Sequence, residues 1–294
     1  MSNVSAKLVK ELREKTGAGM MECKKALQEV EGDIEKAIDF LRTRGLATAA
    51  KKAGRATNEG AIAEYISPDS KTGVLIEVNC ETDFVAMNAN FTSFVKLLAE
   101  VVAKDDPADP AEMMKLTVPN RDITVEELFG ETVGKLGENI QVARFERVEL
   151  EGTGALSAYI HGGAKIGIMV LFKLGKQESA DTEVFKIFAR DVAMQVAAAN
   201  PIAVRRESFD SAVIEREKEI YKTQAAESGK PEQIQEKMAE GRLNKFFKEQ
   251  ALVEQAYVKD MDISIDEYTQ RVAKQLGDTI EIEAFTRYDL GASA

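Results

Sequence analysis

Gly73-Val-Leu-Ile-Glu-Val-Asn-Cys-Glu-Thr-Asp-Phe-Val85 is the stretch on which the fold turns. Val74, Leu75, Ile76 and Val78 are strand formers, so it opens as a β-strand. The sequence breaks that strand at Asn79. Four residues on, Asp83 stands beside Phe84, an acid and a large aromatic in what reads as a loop. Two readings are open. Phe84 packs into the core while Asp83 caps a following helix, or the pair is presented to a partner, because loops carry function.

The strand at 73–78 recurs. A shift of 94 residues places Tyr65-Ile66 on Tyr159-Ile160 and Gly73-Val-Leu-Ile76 on Gly167-Ile-Met-Val170. The same shift places Phe91, Phe94, Leu98 and Val102, a helical stripe, on Phe185, Phe188, Val192 and Val196. Further on the shift is 140: Thr124-Val-Glu-Glu127 falls on Ser264-Ile-Asp-Glu267. Leu136-Gly137, Ile140, Val142, Phe145 and Arg147 then fall on Leu276-Gly277, Ile280, Ile282, Phe285 and Arg287. The chain is an internal duplication. Each half reads strand, strand, helix, connector, helix, strand, an α+β unit with a three-stranded antiparallel sheet. The units span about 56–147 and 148–294.

The change of shift means that the second copy holds 46 extra residues, between Val196 and Ser264. They are charged and helix-favouring. The sequence predicts helices from Ser208 to Glu227 and from Glu232 to Tyr257, with a turn at Ser228-Gly-Lys-Pro231. Glu217 and Tyr221, or Met238, Leu243 and Phe246-Phe247, recur at helical spacing. This is a helical hairpin inserted at about 205–260, with few apolar positions and so little core of its own. It reads as a contact arm.

Residues 1–55 form a separate head. Leu8, Val9 and Leu12 make one apolar stripe, which stops at Thr16-Gly-Ala-Gly19. Met20, Met21, Cys23, Ala26, Leu27 and Val30 make a second. Asp33 caps a third helix that carries Ile34, Ala37, Ile38 and Leu41. Three short helices of this size resemble a ubiquitin-associated-type bundle, a small docking module. From Ala47 to Asn58 the sequence reads as a helix end followed by a flexible linker.

Composition narrows the function. With 294 residues there is room for two or three domains. No apolar run approaches the ~20 residues of a membrane helix. Met1–Ser5 is too short and polar for a leader, so a cytoplasmic protein is expected. Cys23 and Cys80 have neither disulfide-framework nor zinc spacing and read as buried filler. His161 is the one histidine, which excludes a metal site built from several histidines. There is no phosphate-binding Gly-x-x-x-x-Gly-Lys-Ser/Thr loop. No metal, no cofactor and no directly bound nucleotide are expected. The net charge of −11 argues against nonspecific nucleic-acid binding. Residues 1–55 carry 12 Lys and Arg against 8 Asp and Glu, and the rest carries 27 against 42. A basic head on an acidic body suits an acidic protein partner. It equally suits a solvated surface.

Asn79-Cys80-Glu81-Thr82-Asp83-Phe84-Val85-Ala86 closely resembles the signature of the elongation factor Ts family, the bacterial exchange factors for elongation factor Tu. So does Leu8-Val-Lys-Glu-Leu-Arg-Glu-Lys-Thr-Gly-Ala-Gly-Met-Met-Glu-Cys-Lys-Lys-Ala-Leu27. The resemblance runs from about Lys7 to Gly291. It implies that Thr82, Asp83, Phe84 and Val85 bind elongation factor Tu and dislodge its Mg²⁺. Phe84 would wedge beside a helix of the nucleotide-binding domain, and Asp83 would hydrogen-bond to groups left open. It also implies a coiled-coil arm, and weaker partner contacts at His161 and at Leu136 and Gly137. The factor would bind GDP-bound and nucleotide-free elongation factor Tu and make no covalent chemistry. Some members continue into a carboxy-terminal helical module. The sequence here reaches Gly291-Ala-Ser-Ala294 without one, so that contact is expected to be missing. Homodimer formation through the second unit or the arm stays open. Two rival readings are a helical adaptor or chaperone-like protein and an enzyme with paired carboxylates, although no acid pair stands out by spacing.

Overall fold

The computed structural model describes residues 4–292. The readings of Met1–Ser5 and of the terminus at Ala294 bear in part on residues outside that range. The architecture is α+β: amino-terminal helices, then two three-stranded sheets with their helices.

Helices α1 (Ala6–Thr16), α2 (Met20–Glu29) and α3 (Ile34–Lys52) open the chain. The Ser5 and Asp33 side chains accept from the backbone N–H groups of Leu8 and Lys36 and so cap α1 and α3. Val9, Leu12, Cys23, Ala26, Leu27 and Ala37 form the small core. Met20 and Met21 are not part of it, for both are 60% exposed at the start of α2. The third helix ends inside the stretch 47–58, where the sequence reads a helix end. It runs on to Lys52, because its second half finds a second surface, with Ala49 packed against the core of the first sheet.

The first unit holds β1 (Glu59–Ile66), β2 (Thr72–Cys80), α4 (Asp83–Ala86), α5 (Ala89–Asp105), α6 (Pro110–Met113), α7 (Val125–Leu136) and β3 (Ile140–Glu149). Its antiparallel sheet has the order β1-β2-β3. The central strand continues through Asn79. Asn79 pairs with Gly60 and Gln141, and Cys80 with Glu59 and Ile140. Ladder bonds on both sides outweigh the poor strand propensity of asparagine.

The second unit holds β4 (Gly154–His161), β5 (Ile166–Leu174), α8 (Glu183–Ala199), α9 (Ser211–Ala226), α10 (Glu232–Gln250), β6 (Ala256–Tyr257), β7 (Asp260–Ser264), α11 (Ile265–Leu276) and β8 (Ile280–Asp289). Its sheet order is β4-β5-β8, and β6 and β7 form a small hairpin. The repeat read from the sequence extends to backbone detail. Left-handed Asp106 and Asn200 end α5 and α8. Capping boxes Thr124–Glu127 and Ser264–Glu267 start α7 and α11.

One face of each sheet packs on its own helices and the other on the opposite sheet. Ile62, Leu75, Leu150, Leu156, Met169 and Tyr288 fill the space between sheets. Gly73 and Gly167 occupy equivalent positions there. A β-carbon at Gly73 would lie 2.5 Å from Met169 Sδ, and one at Gly167 would lie 2.5 Å from Ile62 Cγ2. The two hairpin turns also cross over in matching fashion. Ile62 N donates to Ala164 O and Leu156 N to Ser70 O, both at 2.8 Å. The two units are thus locked together through equivalent residues.

Helices α9 and α10 form the inserted hairpin. Its base is a cluster of Ala203, Phe209, Phe247 and Ala251. Beyond that base most side chains are exposed or half-buried. The second helix ends at Gln250, short of the Tyr257 suggested by sequence. Burial of Leu252 and Tyr257 in the second unit pulls the chain out of the helix, and the Tyr257 hydroxyl donates to Asp191 at 2.5 Å.

Candidate partner-binding site

The end of β2 and the short helix α4 set the geometry of Thr82–Val85. Thr82 is the cap: its hydroxyl oxygen accepts from Val85 N at 3.4 Å. Asp83 is therefore the first helical residue and not the cap. Its carboxylate sits where the helix N-terminus favours negative charge. One turn of helix then sorts the side chains by direction. Asp83 is exposed and Phe84 is 80% exposed. Val85 turns inward and is buried in the first unit's core. Phe84 is not a core residue, so the packing reading of that side chain fails. Met87, three residues after Phe84 and 70% exposed, extends the apolar edge. Sequence reasoning missed Met87. The signal was its helical spacing from Phe84, usable only once a helix is placed at Asp83.

The loop beneath Phe84 is tightly held. Glu138 Oε2 accepts from Glu81 N at 3.1 Å and from Thr82 N at 3.0 Å. Glu138 Oε1 accepts from Thr82 Oγ1 at 2.6 Å. In return, Glu81 Oε1 accepts from Asn139 N at 2.6 Å. That bond, with Arg55 nearby, draws the Glu81 carboxyl below the usual carboxylate range. Cys80 Sγ donates to Thr82 O at 3.2 Å. Burial, with the Glu138 charge close by, pushes the Cys80 thiol up to about 12.

Leu136 and Gly137 lie at the same place. Leu136 is half-buried against the core. Gly137 takes the left-handed conformation (φ 78°) that ends α7 and delivers Glu138 to the loop. The carbonyl of Gly137 accepts from Lys52 Nζ at the end of α3. Asn139 Nδ2 donates to Arg55 O at 2.8 Å, and Gln141 Nε2 to Ala53 O at 3.0 Å. The head's last helix, the 136–139 turn and the loop under Phe84 form one hydrogen-bonded seam.

His161 is elsewhere. It is exposed at the end of β4, with Nδ1 2.9 Å from the Tyr159 hydroxyl. Among the described residues, no hydrogen bond joins it to Thr82–Val85. The Gly162-Gly163-Ala164 turn beside it leans on the first unit through Ala164 O. Among the described residues no group of three or more His, Cys, Asp or Glu could hold a metal ion. No described helix is long and apolar enough to cross a membrane.

The family described as elongation factor TS matches residues 81–292. An elongation factor Ts of Clostridium kluyveri is 47% identical over 289 residues, covering 98% of this chain and 93% of the relative. Relatives of that name from Clostridium novyi and Clostridium botulinum are 45% identical over 289 residues. They too are matched along 98% of this chain, and along 93% and 92% of their own. The chain belongs to the elongation factor Ts family.

Within this member of the elongation factor Ts family the exposed aromatic occurs in one unit and not the other. The repeat places Lys176, Gln177 and Glu178 where the first unit has Thr82, Asp83 and Phe84. The carboxylate clamp is present in both. Asp278 Oδ2, at the position equivalent to Glu138, accepts from Lys176 N at 3.1 Å. In the second unit, however, the turn so held is a polar 3-10 turn, Gln177–Asp181, whose Gln177 side chain folds back onto Gly154.

Proposed function

We propose that the chain exchanges guanine nucleotide on elongation factor Tu by pressing Phe84 against it and dislodging its Mg²⁺. As a member of the elongation factor Ts family the chain is a translation elongation factor, a nucleotide exchange factor without covalent chemistry. The observation that carries the wedge reading is the 80% exposure of Phe84 on a helix whose start is pinned from beneath.

The chemistry follows from what holds GDP. Its phosphates are neutralised by Mg²⁺ and by backbone dipoles, so shifting the loop that supports the metal weakens binding. An exposed aromatic on a fixed base delivers that push at low entropic cost. Asp83, beside it, accepts hydrogen bonds from groups the displaced element leaves unpaired. Thr82 and Val85 act from inside, as cap and core anchor. Factor and nucleotide then weaken each other equally, and binding is to both GDP-bound and nucleotide-free elongation factor Tu.

A ten-thousandfold faster release needs about 5.5 kcal/mol, at ~1.36 kcal/mol per tenfold. One aromatic contact supplies several kcal/mol at best. The remainder is assigned to other surfaces: the ubiquitin-associated-like head (1–55) as docking module, the coiled-coil arm of the second unit (148–294), and the neighbourhoods of His161, Leu136 and Gly137. The first unit (56–147) carries the wedge, and the setting is the cytoplasm.

Release of fluorescent GDP from elongation factor Tu tests this. Catalytic amounts of the chain should accelerate release, and excess GDP should dissociate the complex. Release at the spontaneous rate, or binding indifferent to GDP, would show an adaptor instead.

A further inference from the structure

We propose that Glu138 is a positioning residue for nucleotide exchange: its carboxylate fixes the angle at which Phe84 leaves the body. The inference rests on the reading of Phe84 as the contact with elongation factor Tu.

Phe84 has almost no packing of its own to orient it, being 80% exposed. Its direction is inherited from α4, which has four residues and cannot stand alone. What orients that single turn is its two anchors. One is apolar, Val85 buried in the first core with Ala86 half-buried against it, and such contacts are non-directional. The other is Thr82, whose N–H and hydroxyl both donate to the Glu138 carboxylate, at 3.0 and 2.6 Å. The Glu81 N–H joins them at 3.1 Å. Three donors on two consecutive residues converge on one ion, and charged acceptors make the stronger hydrogen bonds. Glu138 also leaves the Thr82 hydroxyl oxygen free to accept from Val85 N and start the helix. The carboxylate therefore sets both the position of the cap and the direction of the helix that follows.

The second unit gives an internal comparison. Asp278 holds the equivalent turn by Lys176 N, and also receives Thr279 N at 2.7 Å. The hydroxyl that reaches Asp278 there is that of Ser179, inside the turn and not at its cap, and the turn is 3-10 with no exposed aromatic. The longer acid paired with a capping threonine occurs where an exposed aromatic must be aimed.

Glu138→Ala and Glu138→Gln test this in the full chain, with three measurements. The first is GDP release from elongation factor Tu over a range of factor concentrations. The second is melting. The third uses Phe84→Trp, because the chain has no tryptophan and the introduced indole reports its own mobility by anisotropy. Glu138→Ala should lower the release rate at saturating factor about tenfold, the size expected for losing charged hydrogen bonds to the loop. The concentration giving half-maximal release should change much less. Indole anisotropy should fall in the same variant. Glu138→Gln keeps an oxygen for the two N–H groups and should stay within about threefold of the parent. A loss that tracks only the unfolded fraction, with anisotropy unchanged, would overturn the proposal. The anisotropy is read without elongation factor Tu. If Phe84→Ala exchanges normally while Glu138→Ala still frees the indole, the wedge reading has failed and the clamp has not.

Discussion

Gly45 of α3 and Gly130 of α7 meet backbone to backbone: a β-carbon on Gly45 would lie 2.6 Å from the Gly130 carbonyl oxygen. The head is thereby seated on the first unit through its own last helix. Arg42 and Glu131 pair across the same seam at 3.6 Å. Gly45→Ala must push the helices apart. Overpacking of this kind costs about 1–3 kcal/mol, more than the ~1 kcal/mol that alanine gains over glycine in a helix. The melting temperature should fall. Gly54→Ala meets no atom within 4 Å and should leave it unchanged. Equal melting of the two variants would show that the contact is slack.

The arm should be separable from the body, provided that the cut respects its base. Replacing residues 218–242 with about six Gly and Ser residues keeps the Phe209–Phe247 cluster and costs little loop entropy. Thermal stability and the far-ultraviolet sheet signal should survive. Extending the cut to 209–258 removes Leu252 and Tyr257 from the second core and should unfold that unit. If both truncations melt alike, the base cluster is not where the arm ends.

How far the sequence could be read depended on what each residue answers to. The repeat was legible because strand and helix positions recur without a gap, from Thr72–Cys80 to Ile166–Leu174. The Thr82–Val85 segment was legible as a motif, but which side chains face outward was set by one helical turn and by Thr82 as its cap. Gly45 gave no signal, since a glycine inside a helix reads as a weak point until its neighbour is known. The helix predicted to reach Tyr257 stopped at Gln250 because tertiary burial overrode propensity. Glu138 follows a helix-ending glycine and looks like any surface acid. The available clue was Asp278, an acid at the same place in the second copy.

Both thiols should be inert in the native protein. Burial raises Cys23, and Cys80 stands at about 12. At pH 8 Cys80 is then held as the thiol, not the reactive thiolate. A disulfide reagent should modify neither residue until denaturant is added. The raised value also sets a sign. The stability contributed by the neutral Cys80 thiol is complete below the unfolded thiol's value near 9 and is lost as pH rises towards 12. Melting temperature should therefore decline across that window, and decline less steeply in Cys80→Ala. Equal slopes would remove Cys80 as a cause.

Phe84→Ala should leave the fold intact and cripple exchange. The side chain is 80% exposed, so its removal opens no cavity, and surface changes cost within about 0.5 kcal/mol. Truncating an interface aromatic costs about 2–4 kcal/mol, which is roughly 30- to 1000-fold in rate. Asp83→Ala, the loss of one charged acceptor, should cost about tenfold. Val85→Ala is the inward-facing control. It removes buried methyl groups from the first core and should lower the melting temperature. Exchange per folded molecule should then fall far less than in Phe84→Ala. Melting and labelled GDP release are measured on the same samples. Normal exchange by Phe84→Ala would end the wedge assignment, whatever its melting temperature. A large stability loss in that variant would mean that the exposed ring packs against something in solution.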